Sequence, residues 1–263
     1  MSATPLHVEV HGERGPYLLL VHGFLSSRSQ WRPNLESLSK VCRPVVVELL
    51  GHGRSAAPDD LDAYRAQAYL DAFETIRESL GAERWFVCGQ SFGAGITIRY
   101  ALRWPERVIG QIITNSISAL SPPSRMEPPE QRAANAKALL EAGSAAIEAL
   151  PFHPNKAQRF PPHVHREMLE DARRIAPHAV ANSLLVTRAE LCVTESLGDL
   201  KVPTLIVNGL WEKTFQPLRD LAVGRIPGCE VVDLEGGHSI NIEAAEAFNA
   251  AVIAFVERHA AAS

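Results

Sequence analysis

Ser91 stands at the centre of a Gly-x-Ser-x-Gly motif, Gly89-Gln90-Ser91-Phe92-Gly93. The motif directly follows the apolar run RWFVC and precedes a stretch with helical spacing of apolar residues. In such a strand-turn-helix context, the two glycines remove side chains where the backbone turns sharply and the helix passes close by. An ordinary glycine-rich turn would explain the residue types of this motif but not its position after a buried strand. The pattern predicts that the Ser91 hydroxyl is an exposed nucleophile.

His238 is the residue best placed to activate this serine. A serine hydroxyl is a poor nucleophile at neutral pH and needs a base within hydrogen-bond reach. Of ten histidines, only His238 sits on a glycine-rich loop directly after the last predicted strand. His163 and His165 suggest a metal site by their spacing, but no third ligand stands at a suitable distance along the chain. We therefore predict a general base at His238 and no bound metal.

The acid that orients the imidazole is expected on the loop after the predicted strand 202–209. Glu212 occupies that loop. Aspartate is the commoner acid at this place, but a glutamate reaches one methylene further and still orients an imidazole. Asp220 is the main rival, and the sequence leaves the choice between the two open. A structural hydrogen bond is the better explanation for three acids nearer to strand ends, Asp199, Asp233 and Glu235.

The segment His22-Gly23-Phe24 closes the first buried run, where a loop backbone can donate an N–H to an oxyanion. The residue after the nucleophile supplies the second such donor. We therefore predict that the backbone amides of Phe24 and Phe92 form the oxyanion hole and that both side chains line an apolar pocket. For His22 and His52, a role in stabilising loops is the better interpretation.

Short apolar runs alternate with amphipathic segments along the chain, which is typical of an α/β protein with a mainly parallel sheet. An alternating stretch, residues 6–10, predicts an edge strand. The other runs suit strands that are buried on both faces, namely 16–23, 43–50, 84–90, 108–115, 202–209 and 229–234. Helical spacing of apolar residues covers 31–40, 63–80, 92–104 and 240–259.

The alternation of strands and helices breaks between residues 116 and 197, where proline pairs separate helical stretches at 131–150 and 163–175. We predict that residues 1–115 and 198–263 form the core. Residues 116–197, called here the cap segment, form a helical cap inserted between strands 6 and 7.

The composition excludes several other classes of protein. With 263 residues, 46% hydrophobic and 21% charged, the chain has the profile of a globular enzyme with a sizeable core. A net charge of -4 without a basic stripe argues against a nucleic-acid partner. The first ten residues lack a secretory pattern, no apolar stretch is long enough to span a membrane, and four scattered cysteines indicate free thiols. These features predict a cytoplasmic protein with a small-molecule substrate, and they leave its oligomeric state open.

Together these motifs resemble the α/β-hydrolase superfamily, specifically its small capped branch of bacterial esterases, thioesterase-like enzymes and C–C bond hydrolases. The resemblance spans nearly the whole chain and is carried by His22-Gly23-Phe24, Gly51-His52-Gly53-Arg54-Ser55, 89–93, 100–108, 203–209 and Gly237-His238. It implies an α/β-hydrolase fold and a serine esterase without cofactor. Such an enzyme cleaves carboxylic esters or thioesters of small to medium apolar acyl groups through an acyl-enzyme.

Several departures narrow the range of chemistries within the superfamily. The lyases of the menaquinone pathway typically carry an arginine four residues after the nucleophile, where this chain has Gly95. The glycine-proline-glycine loop of the C–C hydrolases that act on ring-cleavage products is absent after Gly23. Dehalogenases and epoxide hydrolases use an aspartate where this chain has Ser91. A C–C hydrolase or lyase that uses the same serine, or a ligand receptor with little turnover, remains the alternative.

Overall fold

The predicted apolar runs pair into one seven-stranded sheet in the computed structural model, which describes residues 5–261. The ends of the predicted core, residues 1–4 and 262–263, lie outside the described residues. In chain order the strands are β1 (Val8–Val10), β2 (Tyr17–Val21), β3 (Arg43–Val47), β4 (Trp85–Gly89), β5 (Val108–Ile113), β6 (Thr204–Gly209) and β7 (Glu230–Leu234).

The strands lie in the order β1-β3-β2-β4-β5-β6-β7. β1 runs antiparallel to β3, and the other neighbours are parallel, so the prediction of a mainly parallel sheet is confirmed. The central strands β4 and β5 are buried along their whole length. The run at 229–234 differs from its prediction: β7 is only partly buried because it is an edge strand with one neighbour.

Within residues 5–261, twelve α-helices accompany the sheet. In chain order they are α1 (Arg32–Leu38), α2 (Ala66–Ser79), α3 (Phe92–Arg103), α4 (Ile117–Leu120), α5 (Pro129–Ala142), α6 (Ser144–Ala149), α7 (Pro162–Ala172), α8 (Pro177–Asn182), α9 (Arg188–Glu190), α10 (Gln216–Arg225), α11 (Ile240–Glu243) and α12 (Ala245–Ala260). Between residues 5 and 261, none of them combines the length and the apolar composition that a membrane crossing requires.

Alternation along the strands divides the core into two layers. In β2, Leu18 and Leu20 face a cluster with α1 and α12, whereas Leu19 and Val21 face a cluster with α2, α3 and α10. The sheet is therefore covered by helices on both faces. Because parallel strands end at the same edge, the loops after β2, β4, β6 and β7 come together at the carboxyl edge of the sheet.

The cap segment lies between β5 and β6 and is helical. Within residues 5–261, five strands (β1 to β5) precede the cap segment and two (β6 and β7) follow it. The cap segment is therefore inserted between strands 5 and 6, not between strands 6 and 7. The predicted helix 131–150 is two helices, α5 and α6. Gly143 separates them with a φ of +62°, a left-handed conformation that glycine adopts without steric cost.

The cap segment has two parts that differ in their contacts with the core. The lower part, residues 162–193, is bonded to core loops: the Ala176 amide donates to the Gly51 carbonyl at 3.0 Å, and the Glu190 carboxylate accepts from the Ala66 amide at 2.7 Å. A Cβ atom at Gly51 would lie 2.1 Å from the Ala179 Cβ atom. The upper part, residues 123–161, carries α5 and α6, which pack mainly on α8 and on Leu25.

Asp171, at the end of α7, ties the lower part to the loop after β2. Its carboxylate accepts from the hydroxyls of Ser27 (2.8 Å) and Ser29 (2.5 Å) and from the guanidinium of Arg28 (3.0 Å). Arg28 also pairs with the fully buried Glu48 at 3.1 Å. Burial by itself raises the pKa of Asp171, but the hydrogen bonds from Ser29, Ser27 and Arg28 outweigh it, so the net pKa lies below its usual value.

We predict that Asp171→Asn lowers the free energy of unfolding by about 3 kcal/mol near pH 7, because it removes one partner of a buried, hydrogen-bonded ion pair. A carboxyl with a lowered pKa stabilises the fold above its unfolded pKa of about 3.9, and this contribution disappears as the pH falls through the lower folded value. Urea denaturation at about pH 7 and about pH 3 should therefore show a smaller acid-induced loss for Asp171→Asn than for the unmodified protein. An equal loss in both proteins would contradict this prediction.

Candidate active site

Ser91 lies between β4 and α3 with a φ of +52° and a ψ of −111°, a conformation that side chains other than glycine rarely adopt. The neighbouring glycines make this turn possible. A Cβ atom at Gly89 would lie 2.5 Å from the Ala94 Cα atom, and one at Gly93 would lie 2.4 Å from the Val21 carbonyl oxygen. The turn therefore holds Ser91, which is partly exposed, at the carboxyl edge of the sheet.

The loops after β6 and β7 bring Glu212 against His238. His238 Nδ1 lies 3.0 Å from Glu212 Oε1 and 2.9 Å from Oε2. Burial raises the pKa of Glu212, but the hydrogen bond and charge of His238 and a hydrogen bond from Asn115 lower it further, so the net pKa is below its usual value. Glu212 is therefore ionised at neutral pH and fixes the proton of a neutral imidazole on Nδ1.

Asn115 is a second partner of Glu212 that the sequence analysis did not identify. Its Nδ2 donates to Glu212 Oε2 at 2.7 Å and to the Gly209 carbonyl at 3.1 Å, and its Oδ1 accepts from the Gly209 amide at 2.9 Å. Asn115 lies two residues after the end of β5 and is fully buried. A polar residue at the carboxyl end of a buried strand is the signal that points to it.

The structure does not bring the other candidate acids to His238. The Asp220 carboxylate pairs with Arg219 at 2.6 Å, on a side chain that is 68% exposed. Asp233 accepts from Asn208 Nδ2 at 2.7 Å, and Glu235 accepts from Trp211 Nε1 at 2.6 Å. Asp199 ends a 3₁₀ turn before β6. The geometry therefore favours Glu212 over Asp220.

Phe24 and Phe92 lie side by side next to Ser91, with ring centroids 5.2 Å apart. Within residues 5–261, neither backbone amide donates to a protein acceptor, which leaves both N–H groups available to a ligand. Phe24 lines the cavity described below. The Phe92 side chain does not form the predicted pocket wall, because it is 4% exposed and packs into the core behind Phe24.

His22 and His52 hold the loop that carries Phe24. His22 Nδ1 donates to the Gly23 carbonyl at 2.7 Å and its Nε2 accepts from the Leu49 amide at 3.0 Å. His52 Nε2 accepts from the amide of Leu25, whose φ is +56°, at 3.2 Å. Burial lowers the pKa of His22 to about 4 and that of His52 to about 3, so both are neutral near pH 7. Both histidines bond to backbone rather than acting as second bases.

A cavity of about 430 Å³ opens above Ser91 and His238. The core contributes Phe24, Gln90 and Glu212 to its wall, and the cap segment covers it with residues 151–154, 156–160 and Met168. Gln90, a further residue missed in the sequence, donates from Nε2 to the His238 carbonyl at 3.0 Å. The nucleophile turn and the histidine loop are therefore joined directly beneath the cavity.

A family model described as alpha/beta hydrolase fold matches residues 16–245. Epoxide hydrolase 4 of Mus musculus is 31% identical over 115 residues, which cover 43% of this chain. The matched stretch spans about a third of the length of the first curated relatives, 32% in each.

Other matches extend along the whole chain. The putative carbamate hydrolase RutD of Caulobacter sp. (strain K31) is 29% identical over 273 residues, which cover 97% of each protein. Among solved structures, a thermophilic esterase from Thermogutta terrifontis superposes with a TM-score of 0.82 at 24% identity, covering 98% of this chain and 97% of that one. At this level of identity, the structural match establishes a shared fold.

Proposed function

Because the chain belongs to the α/β-hydrolase family, we propose that it is a serine hydrolase that cleaves carboxylic esters or thioesters with a Ser91-His238-Glu212 triad. The observation that carries the proposal is the close contact of His238 Nδ1 with Glu212, 2.9 Å, in the same cavity that Ser91 lines. A base oriented by a buried acid next to a serine on a strained turn is the arrangement that nucleophilic acyl transfer requires.

In the first half of the proposed reaction, Ser91 Oγ attacks the carbonyl carbon of the substrate while His238 Nε2 takes the hydroxyl proton. Negative charge then develops on the former carbonyl oxygen. The amides of Phe24 and Phe92 donate to this oxygen, and Glu212 stabilises the imidazolium through Nδ1–H. When the tetrahedral intermediate collapses, the alcohol or thiol leaves with the proton from His238, and the acyl group stays on Ser91.

In the second half, His238 removes a proton from water as the water oxygen attacks the acyl-enzyme. Collapse of this intermediate returns the proton to Ser91 Oγ and releases the carboxylic acid. Protein side chains and backbone amides suffice for every step, so the proposal needs no metal and no organic cofactor. The full-length relative RutD is named a putative carbamate hydrolase, which also implies attack at a carbonyl carbon.

The cavity supports acyl groups of small to medium size. Its volume of about 430 Å³ lies within the usual range for small-molecule sites. Apolar side chains from the core and from the cap segment line it, including Phe24, Phe152, Phe160 and Met168. We propose that residues 151–160 act as a cap over the acyl group.

A substrate panel tests this function. We expect the purified protein to hydrolyse p-nitrophenyl esters and acyl-thioesters, with an initial burst of p-nitrophenol when deacylation is slow. Turnover should need no added metal and should survive a chelator. Inertness toward all esters, thioesters and lactones, together with hydrolysis of a C–C bond in a β-diketone, would replace the esterase with the C–C hydrolase alternative.

Phe152 is expected to limit the length of the acyl chain, because it lines the cavity although 63% of it is exposed. Phe152→Ala should raise kcat/KM for long-chain p-nitrophenyl esters by about tenfold relative to short-chain esters. Leu139 in the upper part and Leu184 in the lower part belong to the apolar cluster that includes Leu25, and neither lines the cavity. Leu139→Ala is therefore the control: it should cost about 3 kcal/mol of stability and leave the chain-length profile unchanged.

A further inference from the structure

The carboxylate of Glu243 supports the loop that carries His238. Its Oε2 accepts from the Gly237 amide at 3.0 Å, and its Oε1 accepts from the Ser239 amide at 3.3 Å. These two amides belong to the residues on either side of His238. The Glu243 side chain is 6% exposed. One buried carboxylate therefore fixes the backbone both before and after the proposed base.

Arg159 of the cap segment is the cation that balances this buried charge. Its Nε donates to Glu243 Oε2, and within residues 5–261 no other cation pairs with Glu243. The Arg159 guanidinium also lies 5.1 Å from the centre of the Trp211 ring. Trp211 immediately precedes Glu212 in the chain. A single cap side chain therefore contacts both the loop of the proposed base and the loop of the proposed acid.

The absence of a side chain at Gly237 leaves room for the contact between Arg159 and Glu243. A Cβ atom at Gly237 would lie 2.6 Å from Arg159 Nη2 and 3.0 Å from Glu243 Oε1. The chain after Arg159 also docks beside Glu243, because Val164 and Met168 of α7 form a small apolar cluster with Ile242. The polar contacts of Arg159 are thus held in place by apolar packing on α11.

We propose that Glu243 is a positioning residue for His238 and that Arg159 makes this positioning depend on docking of the cap segment. This inference rests on the proposed serine-hydrolase function. When the cap segment is docked, Arg159 neutralises Glu243, and the carboxylate holds the Gly237 and Ser239 amides so that His238 meets Glu212. When Arg159 withdraws, the buried carboxylate loses its counter-charge and draws water into the loop. His238 is therefore aligned with Glu212 only while the cap segment covers the cavity.

Two substitutions test the pair separately. Glu243→Gln keeps one oxygen that can accept from a backbone amide and loses the negative charge. We expect its kcat to fall by about 10- to 100-fold and its KM to stay within about twofold of the unmodified value. Arg159→Met removes the cation from a side chain that is 56% exposed, so the fold persists, and kcat should fall by about tenfold. Glu246→Gln and Arg166→Met are the matched controls, since both residues are exposed on neighbouring helices, and their kcat should stay within about twofold of the unmodified value.

The double variant tests whether the two residues act as one unit. If Arg159 acts through Glu243, the double variant should be no slower than Glu243→Gln alone. If the losses of kcat in the two single variants multiply in the double variant, the two residues act independently and the coupling is wrong. Because the Arg159 end of the pair is exposed to solvent, added salt should lower kcat of the unmodified protein by about threefold, and Arg159→Met should not respond. A salt response that Arg159→Met retains would also overturn it.

A readout that does not need turnover separates this inference from the proposed function. The Nδ1–H proton of His238, bonded to Glu212, should give a downfield proton NMR signal that broadens or disappears in Arg159→Met and Glu243→Gln. An unchanged signal in both variants overturns the positioning role whatever the esterase assays give. A protein that shows this signal and its loss, but reacts with neither esters nor a fluorophosphonate, retains the positioning role and loses the proposed hydrolase function.

Discussion

Replacement of Ser91 by alanine is expected to lower kcat for ester hydrolysis by about a millionfold, the largest effect among the predictions made for this chain. The hydroxyl is the only group of Ser91 that bonds to substrate in the proposed reaction. Alanine keeps the Cβ atom, so the strained turn at φ +52° is built with the same side-chain sterics and the fold should not change.

Covalent labelling measures the same prediction independently. A fluorophosphonate should lose fluoride and form a phosphorus–oxygen bond to Ser91 Oγ, and peptide mass spectrometry should find the adduct there. Circular dichroism of Ser91→Ala should match that of the unmodified protein. An adduct on another residue, or full activity of a folded Ser91→Ala variant, would remove Ser91 from the mechanism.

Glu212→Gln is expected to lower kcat by up to about four orders of magnitude. The contact with Asn115 explains why the loss should be so large. Asn115 Nδ2 donates to Glu212 Oε2 at 2.7 Å, so a glutamine here turns its carbonyl toward Asn115 and its NH₂ group toward His238. An NH₂ group facing Nδ1 stabilises the tautomer with the proton on Nε2, which cannot accept the proton of Ser91.

Asp220→Asn is the matched control for this prediction. Asp220 is an exposed carboxylate on α10 that pairs with Arg219. The kcat of Asp220→Asn should therefore stay within about twofold of the unmodified value. Both variants should be folded by circular dichroism and should still carry the nucleophile at Ser91. A large loss for Asp220→Asn with a small loss for Glu212→Gln would transfer the role of the acid to Asp220.

The sheet and the places of the three proposed triad residues could be predicted from the sequence because each depends on local pattern. Buried parallel strands appear as continuous apolar runs, and Ser91, Glu212 and His238 each follow such a run. The α/β-hydrolase fold predicted from these runs and motifs is confirmed by the family match and by the sheet.

The partners of the proposed triad could not be predicted in the same way. Asn115 is 97 residues from Glu212 in the chain, and Arg159 is 84 residues from Glu243. No local periodicity records contacts over such separations, which depend on how loops fold above the sheet. The break at Gly143 was missed for a different reason: one glycine within a long amphipathic stretch is tolerated in many helices, and its left-handed φ becomes visible only in the structure.

The two-part construction of the cap segment has a consequence for how this protein can acquire new specificities. Removal of all of residues 116–197 would take away Ala176, which donates to the Gly51 carbonyl, and Asp171, which accepts from Ser27 and Arg28, so such a deletion tests folding rather than substrate choice. Residues 123–161 instead rest on the lower part and supply most of the cavity roof. Arg159 must stay because it pairs with Glu243. The rest of this stretch forms an exchangeable module, so grafted segments or randomised libraries confined to residues 123–158 can vary the proposed acyl pocket while the fold and the proposed triad are inherited unchanged.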